Sequence, residues 1–139
     1  MLRKITFIVL FVLTGFYVTA QSDVKYRVIL IGDAGEMNTG QLQSLKSSAN
    51  HVIKGKTTTL FLGDNIYPTG MGLPADRNVK ETEQILKSQF EPMRAKGAAV
   101  YFIPGNHDWD KSGPNGLAKI QAQGEFLASF NFPLLKLIT

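Results

Sequence analysis

Thr57-Thr58-Thr59-Leu60-Phe61-Leu62-Gly63-Asp64-Asn65-Ile66-Tyr67 decides the fold of this chain. Six β-branched, aromatic or aliphatic residues run without interruption into Gly-Asp, so a buried strand stops where a small residue permits a tight turn. The same grammar occurs on either side. Val28 to Ile31 leads into Gly32-Asp33-Ala34-Gly35, and Val100 to Ile103 leads through Pro104 into Gly105-Asn106-His107-Asp108. Each cluster then stands at the carboxyl end of a strand, where open α/β sheets place their ligands.

The segments between these strands have helical spacing. Asn38 or Thr39 can cap a helix running to about Ile53, with Leu42, Leu45, Ala49, Val52 and Ile53 on one side. Gly55 ends it. A second helix is expected from Val79 to about Met93 with Ile85, Leu86 and Phe90 on one face, and a third from Leu117 to Phe130 after Gly113-Pro114-Asn115-Gly116. Strands are expected over Tyr26–Ile31, Thr57–Leu62 and Ala98–Ile103. This βαβαβα order requires a parallel α/β sheet with right-handed crossovers. The stretch from Phe132 to Thr139 reads as exposed apolar residues at a chain end, without an element of its own.

Asp33, Asp64, Asn106 and Tyr67 supply carboxylate, amide and aryl oxygens from three loops, the donor type that hard cations prefer. A lone Gly-Asp behind a strand is usually a turn. Three in order, with Tyr67 three residues beyond the second, point to one metal site.

These motifs resemble the calcineurin-like metallophosphoesterases, and among them the purple acid phosphatase branch. The superfamily's first motif is Asp-x-His, whereas this chain carries Asp33-Ala34-Gly35; the branch's Gly-Asp-x-x-Tyr motif, here Gly63-Asp64-Asn65-Ile66-Tyr67, supplies a tyrosine in its place. The resemblance implies the N-terminal half of a four-layer αββα sandwich. It implies two metal ions, iron with a divalent partner such as zinc, manganese or iron. Asp33 and Tyr67 would bind the first, Asp64 would bridge both, and Asn106 would bind the second. His107 would face the phosphate as a general acid, with Asp108 orienting His107 or its loop. The expected reaction is hydrolysis of phosphate esters by a hydroxide held on the cations.

The family completes its site with three later imidazoles, and this chain has two histidines in all, His51 and His107. The expectation is therefore a truncated domain over residues 21–139. A catalytically inactive fragment or exported binding module stays open as an alternative, as does a phosphodiesterase of the same superfamily. The lack of Gly-Asp-x-His-Gly and of a Gly-Asp-x-x-Asp-Arg-Gly second motif argues against a Ser/Thr protein phosphatase. His51 reads as a helix-end histidine, and Trp109 as a loop-packing residue; Met71, Pro74 and Arg77 lie in a loop bordering the site.

Arg3-Lys4, the apolar run from Ile5 to Leu13 and Val18-Thr19-Ala20 form the three parts of a signal peptide over residues 1–20. Export to the periplasm or exterior is expected, with no stable membrane span after cleavage; a retained signal anchor is the alternative. Cleavage removes Arg3 and Lys4 and lowers the formal charge from +4 to +2. No basic run supports nucleic-acid binding. The chain has no cysteine, which excludes disulfides, thiolate metal sites and lipid attachment through cysteine.

Overall fold

A computed structural model describes residues 24–139. The leader expected over residues 1–20 lies outside them. In chain order the elements are β1 (Arg27–Ile31), α1 (Thr39–Ala49), β2 (Thr57–Leu62), α2 (Val79–Ala95), β3 (Ala99–Ile103), a short turn at Asp110–Ser112, α3 (Gly116–Ala128) and β4 (Leu135–Leu137). The strands form one parallel sheet in the order β1-β2-β3-β4. Each crossover steps to the next position in the same direction. Right-handed connections then carry every helix to one face of the sheet.

Burial follows the pleat. Ile31, Phe61, Phe102 and Leu137 form a row across the four strands, with Ile29, Thr59, Val100 and Leu135 in the row behind. Of these, Ile31, Phe61, Val100, Phe102, Leu135 and Leu137 meet Leu45, Leu86, Phe90, Met93 and Leu127 from the helices in one core. Phe61 and Phe102 stack with centroids 4.5 Å apart and planes inclined by 9°. Burying each such side chain contributes roughly 1.5–3 kcal/mol.

Two expectations are corrected. The run from Tyr26 to Ile31 reads as a strand buried on both faces, yet Val28 and Leu30 are 54% and 60% exposed. With all described helices on one face, the opposite residues, including Leu62 and Ile103, have no cover among the described residues. The apolar run carries two apolar rows, and the described helices cover only one. At the other end, Leu135–Leu137 is a fourth strand rather than a loose end. Leu135 is buried, and β4 pairs with β3 through Val100, Tyr101 and Phe102. Three residues are too few for alternation to announce a strand.

The remaining boundaries agree with the sequence within a few residues. Asn38 caps α1 by accepting the Gln41 N–H at 2.9 Å. That helix stops at Ala49, before the expected Ile53, and His51 lies exposed in the following turn. Among the described residues, no helix is long and apolar enough to cross a membrane.

Candidate metal centre

The three strand ends deliver their loops to one place. Gly63 O accepts the Asp33 N–H at 3.2 Å, joining the first loop to the second, and Gly35 O accepts the Tyr67 N–H at 3.1 Å. The third loop closes on the second through Asp64 Oδ1, which accepts the His107 N–H at 3.2 Å. Contact between the loops is tight enough to dictate residue size. A Cβ on Gly105 would stand 2.3 Å from both Asp64 N and Oδ1, and one on Gly35 would stand 2.7 Å from Asp64 O. Only glycine fits either position.

Tyr67 connects the acidic groups. Its hydroxyl lies 2.9 Å from Asp33 Oδ1 and 3.2 Å from Asp64 Oδ2. One phenolic proton thus serves two carboxylates. Burial, donation to Asp33 and the charges of Asp64 and Asp33 all push the phenol above its ordinary 10.0. A cation among these oxygens would reverse that balance, since it would favour the phenolate. Asp33 and Asp64 take nearly the same backbone conformation, with φ of 54° and 53°. This left-handed geometry costs an L-residue about 1–2 kcal/mol, and it turns both carboxylates toward the phenol.

His107 completes the mouth. Its ring packs edge-on against Tyr67, with centroids 4.5 Å apart and planes at 80°. Nδ1 lies 2.7 Å from Pro68 O. A carbonyl can only accept, so Nδ1 carries a proton and donates it there. Nε2 stands 4.0 Å from Asp64 Oδ2 and faces the carboxylates. Asn106 occupies the adjoining loop position with an exposed side chain, and its carbonyl accepts the Lys111 N–H.

Asp108 belongs to the floor. It is fully buried. Its Oδ2 accepts the N–H groups of Asn65 and Gly105 at 3.0 and 2.8 Å and the Asn65 amide at 3.2 Å, while Oδ1 accepts the Ile66 N–H at 3.1 Å. The Asn65 and Ile66 bonds tie the second loop to the third, the Gly105 bond closes the third loop on itself, and none goes to the His107 ring. Burial pushes the Asp108 carboxyl above its usual value; the backbone N–H bonds oppose this and the Asp64 charge adds to it.

The structure therefore gathers Asp33, Asp64, Tyr67 and His107, sets Asn106 beside them, and places Asp108 beneath. His51 sits at the other end of the sheet, where its carbonyl accepts from the Arg27 guanidinium. Met71 is part of the core, while Pro74 and Arg77 are exposed. Asn65 and Gln89 escape a reading of motifs alone. The Asn65 side-chain amide donates to Ile103 O at 2.9 Å, and the Asn65 backbone carbonyl accepts the Gln89 amide at 2.6 Å. Their signal in the sequence was slight: each is an amide standing directly before an apolar residue, Ile66 and Phe90.

Among the described residues, no three His, Cys, Asp or Glu side chains converge as a metal cluster. The donors in contact are instead two carboxylates and a phenol, with Asn106 on the adjoining loop. Hard oxygen donors of this kind suit Mn²⁺, Fe or Mg²⁺.

A family model described as calcineurin-like phosphoesterase matches residues 26–138, most of the chain. The chain belongs to that family. Comparison with curated proteins and with solved structures returned no match. Membership agrees with the fold, whose parallel sheet and alternating order match the N-terminal half of the calcineurin-like architecture. It also makes phosphate esters the substrate class and cations the general cofactor class of calcineurin-like phosphoesterases.

Proposed function

We propose that this calcineurin-like phosphoesterase is an exported, purple acid phosphatase-like hydrolase of phosphate esters that uses two cations, iron with a divalent partner. The observation that carries the reading is the Tyr67 hydroxyl shared between Asp33 and Asp64. With no histidine two residues beyond Asp33, the phenol is the donor that stands against both carboxylates. Asp33 and Tyr67 would hold the first cation, Asp64 both, and Asn106 the second. When bound, the cations would supply Lewis acidity toward a phosphoryl oxygen and lower the pKa of a water.

The chain's own groups account for the rest. His107, anchored through Nδ1, presents Nε2 to the space above Asp64, where it can donate to a phosphoryl or leaving oxygen when protonated. Asp108 keeps that loop in register from below. The Gly35 and Gly105 contacts keep the three loops at fixed spacing, so the oxygens are arranged before a ligand arrives.

The experiment is cation titration of the full chain followed by hydrolysis of an aryl phosphate. Loading with iron(III) is expected to give a visible phenolate-to-metal absorption that Tyr67→Phe abolishes. Absence of binding by iron, zinc and manganese would refute the metal reading. An absorption surviving in Tyr67→Phe would refute the branch. A second reading, cation binding without turnover, is favoured by His107 being the sole imidazole at the site. Binding with no hydrolysis of mono- or diesters would select it, and faster diester than monoester cleavage would select a phosphodiesterase.

A further inference from the structure

Lys119 is an anomaly of α3. It occupies the inward stripe with Gly116, Ile120, Gln123 and Leu127, and only 9% of its surface is exposed. A buried ammonium is tolerated when its three donors are matched. Here they are. Nζ lies 2.7 Å from Thr69 O, 3.3 Å from Thr69 Oγ1 and 3.0 Å from Asp110 Oδ1.

These acceptors belong to the two segments that bracket His107. Thr69 follows Pro68, whose carbonyl receives the His107 Nδ1 proton. Asp110 follows on the other side, and its N–H donates to His107 O at 3.0 Å. Asp110, Lys111 and Ser112 are three successive non-glycine residues with positive φ, of 57°, 52° and 66°. An L-residue chain enters such a left-handed turn only where its surroundings enforce it. Lys119 grips the first residue of that turn and, with the same nitrogen, the segment carrying the Pro68 carbonyl.

We propose that Lys119 is a positioning residue for His107. By fastening Asp110 and Thr69 to one helix position, it fixes the distance between the imidazole and the Pro68 carbonyl. The ring is thereby held in its Nδ1–H form with Nε2 turned to the carboxylates. The inference rests on the reading of His107 as the group that meets substrate, but its test needs neither cation nor turnover.

The test is long-range ¹H–¹⁵N NMR of the imidazole rings in the cation-free full chain, at a pH where both are neutral. Only His51 and His107 contribute, and exposed His51 serves as the internal reference. Wild-type His107 is expected to show protonated Nδ1 and bare Nε2, opposite to the form that free histidine favours. Lys119→Met is expected to lose that signature for His107 alone, and Lys119→Arg to retain it in larger part. An unchanged His107 tautomer in Lys119→Met, whatever the loss in melting temperature, would overturn the proposal. So would protonated Nε2 in the wild type. If Lys119→Met does not fold, Asp110→Ala cuts the other arm and is read in the same way. Failure of cation binding would refute the metal reading while leaving this measurement intact.

Discussion

Two acidic regions lie within the same loops and are provisioned in opposite ways. On the floor, the single Asp108 carboxylate is buried and receives four N–H donors. At the mouth, Asp33 and Asp64 share one phenolic hydroxyl, and Asp33 stands exposed. Both oxygens of the Asp108 carboxylate find protein donors; the mouth gathers two carboxylates around one shared hydroxyl. Satisfied polar groups hold a fold together, whereas concentrated, under-neutralised oxygens are suited to an arriving cation.

The comparison breaks most sharply at Asp108. Asp108→Ala removes the acceptor of the Asn65, Ile66 and Gly105 N–H groups, while the Asn65 amide keeps Ile103 O, and is expected to cost about 3 kcal/mol or more in urea unfolding. A loss below about 1 kcal/mol would mean that the floor is not structural. Next comes Gly105→Ala, whose methyl enters the space of Asp64 N and Oδ1. A stability loss of about 1–3 kcal/mol is expected, with weaker manganese binding by calorimetry.

Asp64→Asn probes the mouth. It keeps an oxygen for the His107 N–H, so stability should change by less than about 0.5 kcal/mol. Cation affinity should fall by at least the roughly 10–100-fold seen when a ligand's supporting partner is removed. Equal losses of stability at Asp64 and Asp108 would erase the distinction between the regions.

The smallest effect is in pH. Because burial raises the folded Asp108 pKa above 3.8, its protonated form contributes stability that is full below that value. The contribution fades as pH rises through the raised pKa. The stability difference between wild type and Asp108→Asn should therefore narrow over that rise; a widening difference would show that the N–H bonds outweigh burial.

Much of this contrast was legible in the sequence because strand, glycine and acid recur together. Asp33, Asp64 and Tyr67 could be placed at one sheet edge from order alone, since a parallel sheet brings its strand ends together. The direction of Asp108 was not legible. It adjoins His107 in sequence, but side-chain direction in an irregular loop has no period, and the carboxylate turned to the backbone of the second loop. Lys119 was hidden for a related reason: a lysine on a helix reads as solvent-facing until the loops that meet it are known. β4 was too short to register, and the open face of β1 depends on which helices cover which rows.

The backbone of the mouth has an evolutionary consequence. Asp33 and Asp64 hold positive φ angles that glycine, and to a lesser degree asparagine, adopts at lower cost. In a library selected for folding alone, both positions should drift toward those residues. Under selection for cation-dependent chemistry they should stay aspartate, so the divergence between the two selections would trace where this chain gives up foldability for reactivity.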